Sequence, residues 1–166
     1  MMRTNRWLPP TRPWWVAIWL VTAVLGSGWL WFSRQDSPPA ISADQLPIAP
    51  TAGSQAPDFT LTTLAGDTLT LSELRGTPVV LNFWASWCGP CRYETPYFQQ
   101  IHETNGDEVL ILGINQREGA ETVAAFGDEF SLTYPLLLDS DGQVSTAYRV
   151  FGLPTTVLVD ANGVVR

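Results

Sequence analysis

The feature that most constrains the fold is a short apolar run ending against a pair of cysteines. Residues 79–84 read Val-Val-Leu-Asn-Phe-Trp; Cys88 and Cys91 follow, separated by Gly89 and Pro90. A run this continuously apolar suits a strand covered on both faces. From Cys88 to about position 104 the pattern is helical. The chain therefore passes from a buried strand directly into a helix whose first turn carries both thiols, which is the arrangement of a dithiol redox site.

That placement predicts the chemistry. At the helix N-terminus, free backbone N–H groups and the dipole favour the thiolate of Cys88, which makes it the nucleophile. Cys91, three residues on and less exposed, is the resolving thiol that attacks a mixed disulfide and releases the reduced substrate. Pro90 sits where a missing N–H costs no helical hydrogen bond. Two plainer readings fit less well. A structural bridge closing so short a loop removes little chain entropy and is a poor staple. A metal site lacks ligands, because one Cys pair and a single histidine, His102, leave a closed zinc or copper site incomplete. No metal and no cofactor is expected.

The surrounding sequence reads as an α/β domain over residues 57–166. Residues 58–62 and 68–71 alternate around Ala65-Gly66-Asp67, a hairpin. A second buried strand is expected over 109–114, a helix over 120–130, a short strand over 135–138 and a turn at 139–142. A short helix over 143–148 follows, then a strand over 155–159 and a hairpin turn at 160–163 leading into residues 164–166. Strands alternating with helices give a βαβ core with a right-handed parallel crossover, and hairpins at both ends make the sheet mixed.

Charge divides the chain. Residues 1–34 carry four arginines and no acid, whereas residues 35–166 carry five arginines and all 16 acids. The net charge of −7 argues against a nucleic-acid binder, which needs a basic face for phosphates. Two cysteines exclude a multi-disulfide scaffold. Residues 14–32 form an uncharged run of 19 residues with tryptophans towards both ends. At about 1.5 Å per residue it approaches a hydrocarbon core of about 30 Å. Arginines in front of it place residues 1–13 in the cytoplasm and the rest outside. A cleaved signal peptide, with small residues at Gly26-Ser27-Gly28, is the alternative; it would leave Trp29-Leu30-Trp31-Phe32 as an exposed apolar N-terminus. Residues 33–56, rich in Pro, Ser and Ala, read as a semi-extended tether.

Trp-Cys-Gly-Pro-Cys at 87–91, following Leu-Asn-Phe-Trp-Ala-Ser, resembles the thioredoxin active site. The wider stretch from Ala56-Pro57-Asp58-Phe59 to Pro96, with Gly152-Leu153-Pro154-Thr155, resembles the TlpA/ResA/CcmG (DsbE) family of membrane-anchored thioredoxin-like thiol–disulfide oxidoreductases. The resemblance implies a thioredoxin-like α/β fold. It implies that Asn82 stands where thioredoxins keep a buried Asp, and that Glu94 tunes and deprotonates the thiols, here Cys91. It implies a cis-proline loop at Pro154 that presents the Leu153 backbone to an extended substrate. Trp87, Gly89 and Pro90 complete the substrate surface, Trp84 is core, and Pro96 is structural. The implied substrates are protein disulfides, with apocytochrome c before haem attachment as the leading case. The implied electron donor is a membrane thiol transporter of the DsbD/CcdA kind.

Two departures from the family stand out. The sequence stops at Arg166, inside the terminal hairpin, where the family continues into a strand and a helix; without that helix, apolar surface should stay exposed. Gly-Pro between the cysteines is the dipeptide of reducing thioredoxins and leans towards a reductant. Two rivals remain: a peroxiredoxin-like peroxidase, whose Pro-x-x-x-Thr-x-x-Cys pattern is missing before Cys88, and an extracytoplasmic copper-handling module using the soft thiolates.

Overall fold

The structure is a computed structural model that describes residues 18, 20–22 and 43–166. Contacts divide the chain into two units, residues 1–40 and 41–166, and the sheet and the site lie in the second. Residues 1–13 and most of the apolar run at 14–32 lie outside the described residues; of that run only 18 and 20–22 are described, as helix. Among the described residues no helix is long and apolar enough to cross a membrane.

Among the described residues of the second unit, six strands and three α-helices follow in order, besides two short 3₁₀ turns: β1 Thr60–Thr63, β2 Thr68–Thr70, β3 Val79–Trp84, α1 Gly89–Asn105, β4 Leu110–Gln116, α2 Ala120–Glu129, β5 Leu136–Asp139, α3 Gln143–Ala147 and β6 Thr155–Val159. They form one mixed sheet in the order β2-β1-β5-β4-β3-β6. β3 and β4 are parallel with Trp84 opposite Asn115, as expected for the strand–helix–strand unit. β6 runs antiparallel on the outer side of β3, and the β1–β2 hairpin closes the other edge against β5.

Alternation along β3 divides the core into two layers, because successive side chains leave opposite faces of a strand. Leu81 and Phe83 point into one layer with Leu112, Ile114, Leu137 and Tyr148. The Tyr148 hydroxyl donates to the Pro57 carbonyl at 2.7 Å and so ties α3 to the start of the domain. Burial first, and then the Asp58 charge, pushes the Tyr148 phenol up, so it stays protonated. Trp84 points the other way, into a layer that holds Ile111, Val123, Phe126, Tyr134 and both cysteines. In this second layer β4 needs a glycine. A Cβ on Gly113 would lie 2.8 Å from Leu136 Cδ2, 3.0 Å from Tyr134 Cε2 and 3.1 Å from Trp84 Nε1.

One segment differs from what composition suggested. Residues 47–56, counted with the tether, are hydrogen-bonded into the domain: Gly53 N–H donates to Val165 O at 2.8 Å and Ala56 N–H to Gly163 O at 2.9 Å. Backbone pairing with residues 163–165, which composition does not report, orders this stretch, and Ala56 joins the core. Asp139 opens the expected turn, with Gly142 N–H donating to its carbonyl at 3.1 Å, and it is also the fully buried last residue of β5. Its carboxylate accepts from Val144 N–H at 3.1 Å, Ser145 N–H at 2.8 Å and Ser145 Oγ at 2.6 Å. The terminal hairpin is present as single bridges, with Val165 opposite Val159 and Val164 opposite Gln55. On β6, Leu158 is half exposed.

Candidate active site

β3 ends at Trp84, three residues carry the chain over the end of the sheet, and Cys88 caps α1. Cys88 has extended φ and ψ, and its sulfur accepts from Cys91 N–H at 3.2 Å, so it satisfies one of the free donors of the first turn. Pro90 lies in that first turn, as the sequence predicted. The two cysteines are joined by a disulfide of 2.06 Å. Cys88 is 4% exposed and Cys91 fully buried, which is the expected order of access. The Thr95 hydroxyl donates to Cys91 O at 2.8 Å and continues the buried stripe of α1 through Gln99.

Glu94 and Asn82 are brought together. Asn82, 2% exposed on β3, donates through Nδ2 to Glu94 Oε1 at 2.7 Å and to Thr156 Oγ1 at 3.3 Å. The amide thus holds the Glu94 carboxylate between α1 and β6, on the sheet face that carries Trp84. Tyr134 lies in the same layer; burial and then the charge of Glu94 push its phenol up and keep it protonated.

The Leu153–Pro154 bond is cis. Leu153 packs against the layer that holds the cysteines, and Thr155 lies opposite Phe83, so the loop borders the end of β3 from which the cysteines spring. Trp87 is 72% exposed and Phe151 95% exposed, two aromatic side chains open to solvent in the segments flanking the disulfide and the cis bond. Gly89 and Pro90 are also exposed. Trp84 is core, stacked at 4.2 Å on Phe126. His102 lies in the last turn of α1, at the far end from the cysteines. Among the described residues no group of three His, Cys, Asp or Glu side chains could hold a metal ion.

One residue went unnoticed in the sequence. Glu118, between β4 and α2, accepts from Ser86 N–H at 2.8 Å and Asn115 Nδ2 at 2.7 Å on Oε2, and from Ser86 Oγ at 2.5 Å on Oε1. Burial would raise its carboxyl, but the hydrogen bonds from Asn115 and Ser86 outweigh it and hold the group below its ordinary range. The only sequence signal is an acid three residues after Asn115, where the strand gives way to the helix.

A mixed sheet with a disulfide at the mouth of its first long helix and a cis-proline loop beside it defines a thioredoxin-like dithiol protein. Residues 52–166 match the AhpC/TSA family, and the chain belongs to it. It is 45% identical over 115 residues to the thiol–disulfide oxidoreductase ResA of Geobacillus kaustophilus, a match covering 69% of this chain and 66% of that protein. It is 38% identical to the thioredoxin-like protein YneN of Bacillus subtilis, covering 69% of this chain and 68% of that one. Among solved structures it resembles a secreted Mycobacterium tuberculosis disulfide oxidoreductase homologous to E. coli DsbE, at 33% identity and a TM-score of 0.61, covering 65% of this chain and 80% of that chain. The chain spans about two thirds of the length of the curated relatives it matches.

Proposed function

We propose that this chain is a thiol–disulfide oxidoreductase that works outside the cytoplasmic membrane, held there by residues 14–32 with its N-terminus in the cytoplasm, and that it reduces disulfides in other proteins. The observation that carries the reading is the Cys88–Cys91 disulfide at the tip of α1, with the Cys91 N–H directed at the Cys88 sulfur. In the reduced protein the same donors favour a thiolate on Cys88. That thiolate attacks one sulfur of the substrate disulfide, forming a mixed disulfide and expelling the other sulfur as a thiolate. Cys91, losing its proton to Glu94, then attacks the Cys88 sulfur. The substrate leaves with both sulfurs reduced, two electrons have passed to it, and the protein holds the disulfide seen here.

Asn82 keeps the Glu94 carboxylate aimed into the site, since an amide cannot itself serve as the base. The Leu153 backbone ahead of cis Pro154 offers an extended substrate strand-like pairing, while Trp87 and Phe151 supply apolar contact. The acidic body, with five arginines against 16 acids, suits basic substrates. The secreted relative supports an extracytoplasmic site of action, and the family resemblance supports apocytochrome c as substrate with re-reduction by a DsbD/CcdA-type membrane thiol transporter.

The test is capture with Cys91→Ser in the full chain. Removing the resolving thiol should arrest the exchange as a mixed disulfide on Cys88 that survives without reductant and is released by dithiothreitol. Absence of any adduct, or the same adduct from Cys88→Ser, would refute the assignment. Turnover of hydrogen peroxide faster than of protein disulfides would favour the peroxidase reading, and Cu(I) retained through purification but lost in Cys88→Ser would favour copper handling.

A further inference from the structure

We propose that Glu118 is a positioning residue for the exchange reaction: its carboxylate fixes Ser86, and through it the Trp87–Cys88 tip, in one orientation towards the incoming protein substrate. This rests on the oxidoreductase reading above. The span between β3 and the cap of α1 is residues 85–87. Ala85 is fully buried and its carbonyl accepts from Cys88 N–H at 3.1 Å, so that end is fixed by the fold. Ser86 is the link that could swing, and both of its donors, N–H and Oγ, are taken by the one carboxylate. Trp87, the next residue, is the exposed aromatic beside the disulfide.

The carboxylate is itself held from behind. Asn115 is fully buried on β4, directly opposite Trp84 in the parallel register. It donates to Glu118 Oε2, and its Oδ1 accepts from Glu118 N–H at 3.3 Å. A rigid path thus runs from the central strand through Asn115 and Glu118 to Ser86. On the open side, Ser86 lines a cavity of about 420 Å³ with Arg92, Phe126 and Glu129. Opposite that cavity, the hydrogen bonds to Glu118 hold Ser86 and with it the approach to Trp87. Three donors converge on the two oxygens, and truncating the side chain at Cβ removes all three acceptors at once, whereas an amide would keep the two N–H donors on its oxygen and donate its NH₂ to the Ser86 hydroxyl.

The experiment compares the full chain in detergent with Glu118→Ala and Ser86→Ala, each pre-reduced. Insulin serves as the protein disulfide and iodoacetamide as a small probe of the Cys88 thiolate. Glu118→Ala should lower kcat/KM for insulin about tenfold, mainly through KM, while alkylation of Cys88 stays within about twofold of wild type. Ser86→Ala, which keeps the N–H bond and loses the hydroxyl, should fall between them at about threefold. Should Glu118→Ala fail to fold, Ser86→Ala decides alone. Insulin reduction at the wild-type rate in the folded variants overturns the proposal, and so does an equal loss towards insulin and iodoacetamide, which is the mark of general destabilisation. A wild-type protein inert towards insulin would sink the oxidoreductase reading itself, and the positioning role with it.

Discussion

Gly113→Ala adds one methyl group at the centre of the sheet, directly beneath the active site. β4 is paired on both sides at this point, with Gly113 opposite Asn82 on β3 and Leu136 on β5, so the backbone cannot retreat. The new Cβ would meet Leu136, Tyr134 and Trp84 at 2.8–3.1 Å. All three are buried, at 6%, 4% and 2% exposure, so none swings into solvent without opening the layer that encloses the cysteines. Overpacking of this kind costs about 1–3 kcal/mol, and three fixed neighbours put it at the upper end. Lower unfolded-state entropy returns about 0.4–1 kcal/mol. The net loss should be about 2 kcal/mol, a fall of roughly 8 °C in Tm for a domain of this size. Gly152→Ala is the internal control, because nothing lies within 4 Å of its would-be Cβ and it should move stability by less than about 0.5 kcal/mol. The assay is urea and thermal unfolding of the three oxidised proteins side by side. A Gly113→Ala protein as stable as Gly152→Ala would mean that this layer yields, and the argument from close approach would be wrong.

Asp139→Ala leaves the N–H groups of Val144 and Ser145 and the Ser145 hydroxyl without their buried acceptor; it should cost about 3–5 kcal/mol in urea unfolding, and a loss below about 1 kcal/mol would contradict the geometry. Because the Glu118 carboxyl lies below its ordinary range in the folded chain, its stabilising contribution is present above the unfolded carboxylate pKa and is lost as pH falls through the folded one. Between about pH 5 and pH 3 the Tm of Glu118→Gln should therefore fall less steeply than that of wild type, and equal slopes would refute the assignment. Trp87→Ala removes a side chain that is 72% exposed; stability should stay within about 0.5 kcal/mol while KM for a protein disulfide rises about fivefold, and an unchanged KM would remove Trp87 from the docking surface.

What the sequence disclosed and what it hid differ in the range of the interactions involved. The β3 strand, the helix opening at Cys88 and the β1–β2 hairpin follow from apolar period, turn residues and the N-terminal position of a proline, all read within a few neighbours of each residue. Asn82, Glu94 and Pro154 were singled out by resemblance, and the structure joins the first two in a hydrogen bond and sets the third in a cis bond. The Glu118 clamp was invisible because Ser86 and Glu118 are 32 positions apart and meet only once β3 and β4 lie in parallel register. The inward role of the Asp139 side chain was hidden for a related reason. Asp-Ser-Asp-Gly has turn composition whichever residue turns, and only the position of α3 shows that its first carboxylate faces inward to accept from Val144 and Ser145. Both are carboxylates without a cation in any described ion pair, satisfied instead by backbone, hydroxyl and, for Glu118, amide donors that no pattern of charges could have disclosed. In an acidic domain such as this one, the acids that matter to the site are therefore found by counting the donors that converge on them, since proximity to an arginine would select Asp160 and Glu129 instead.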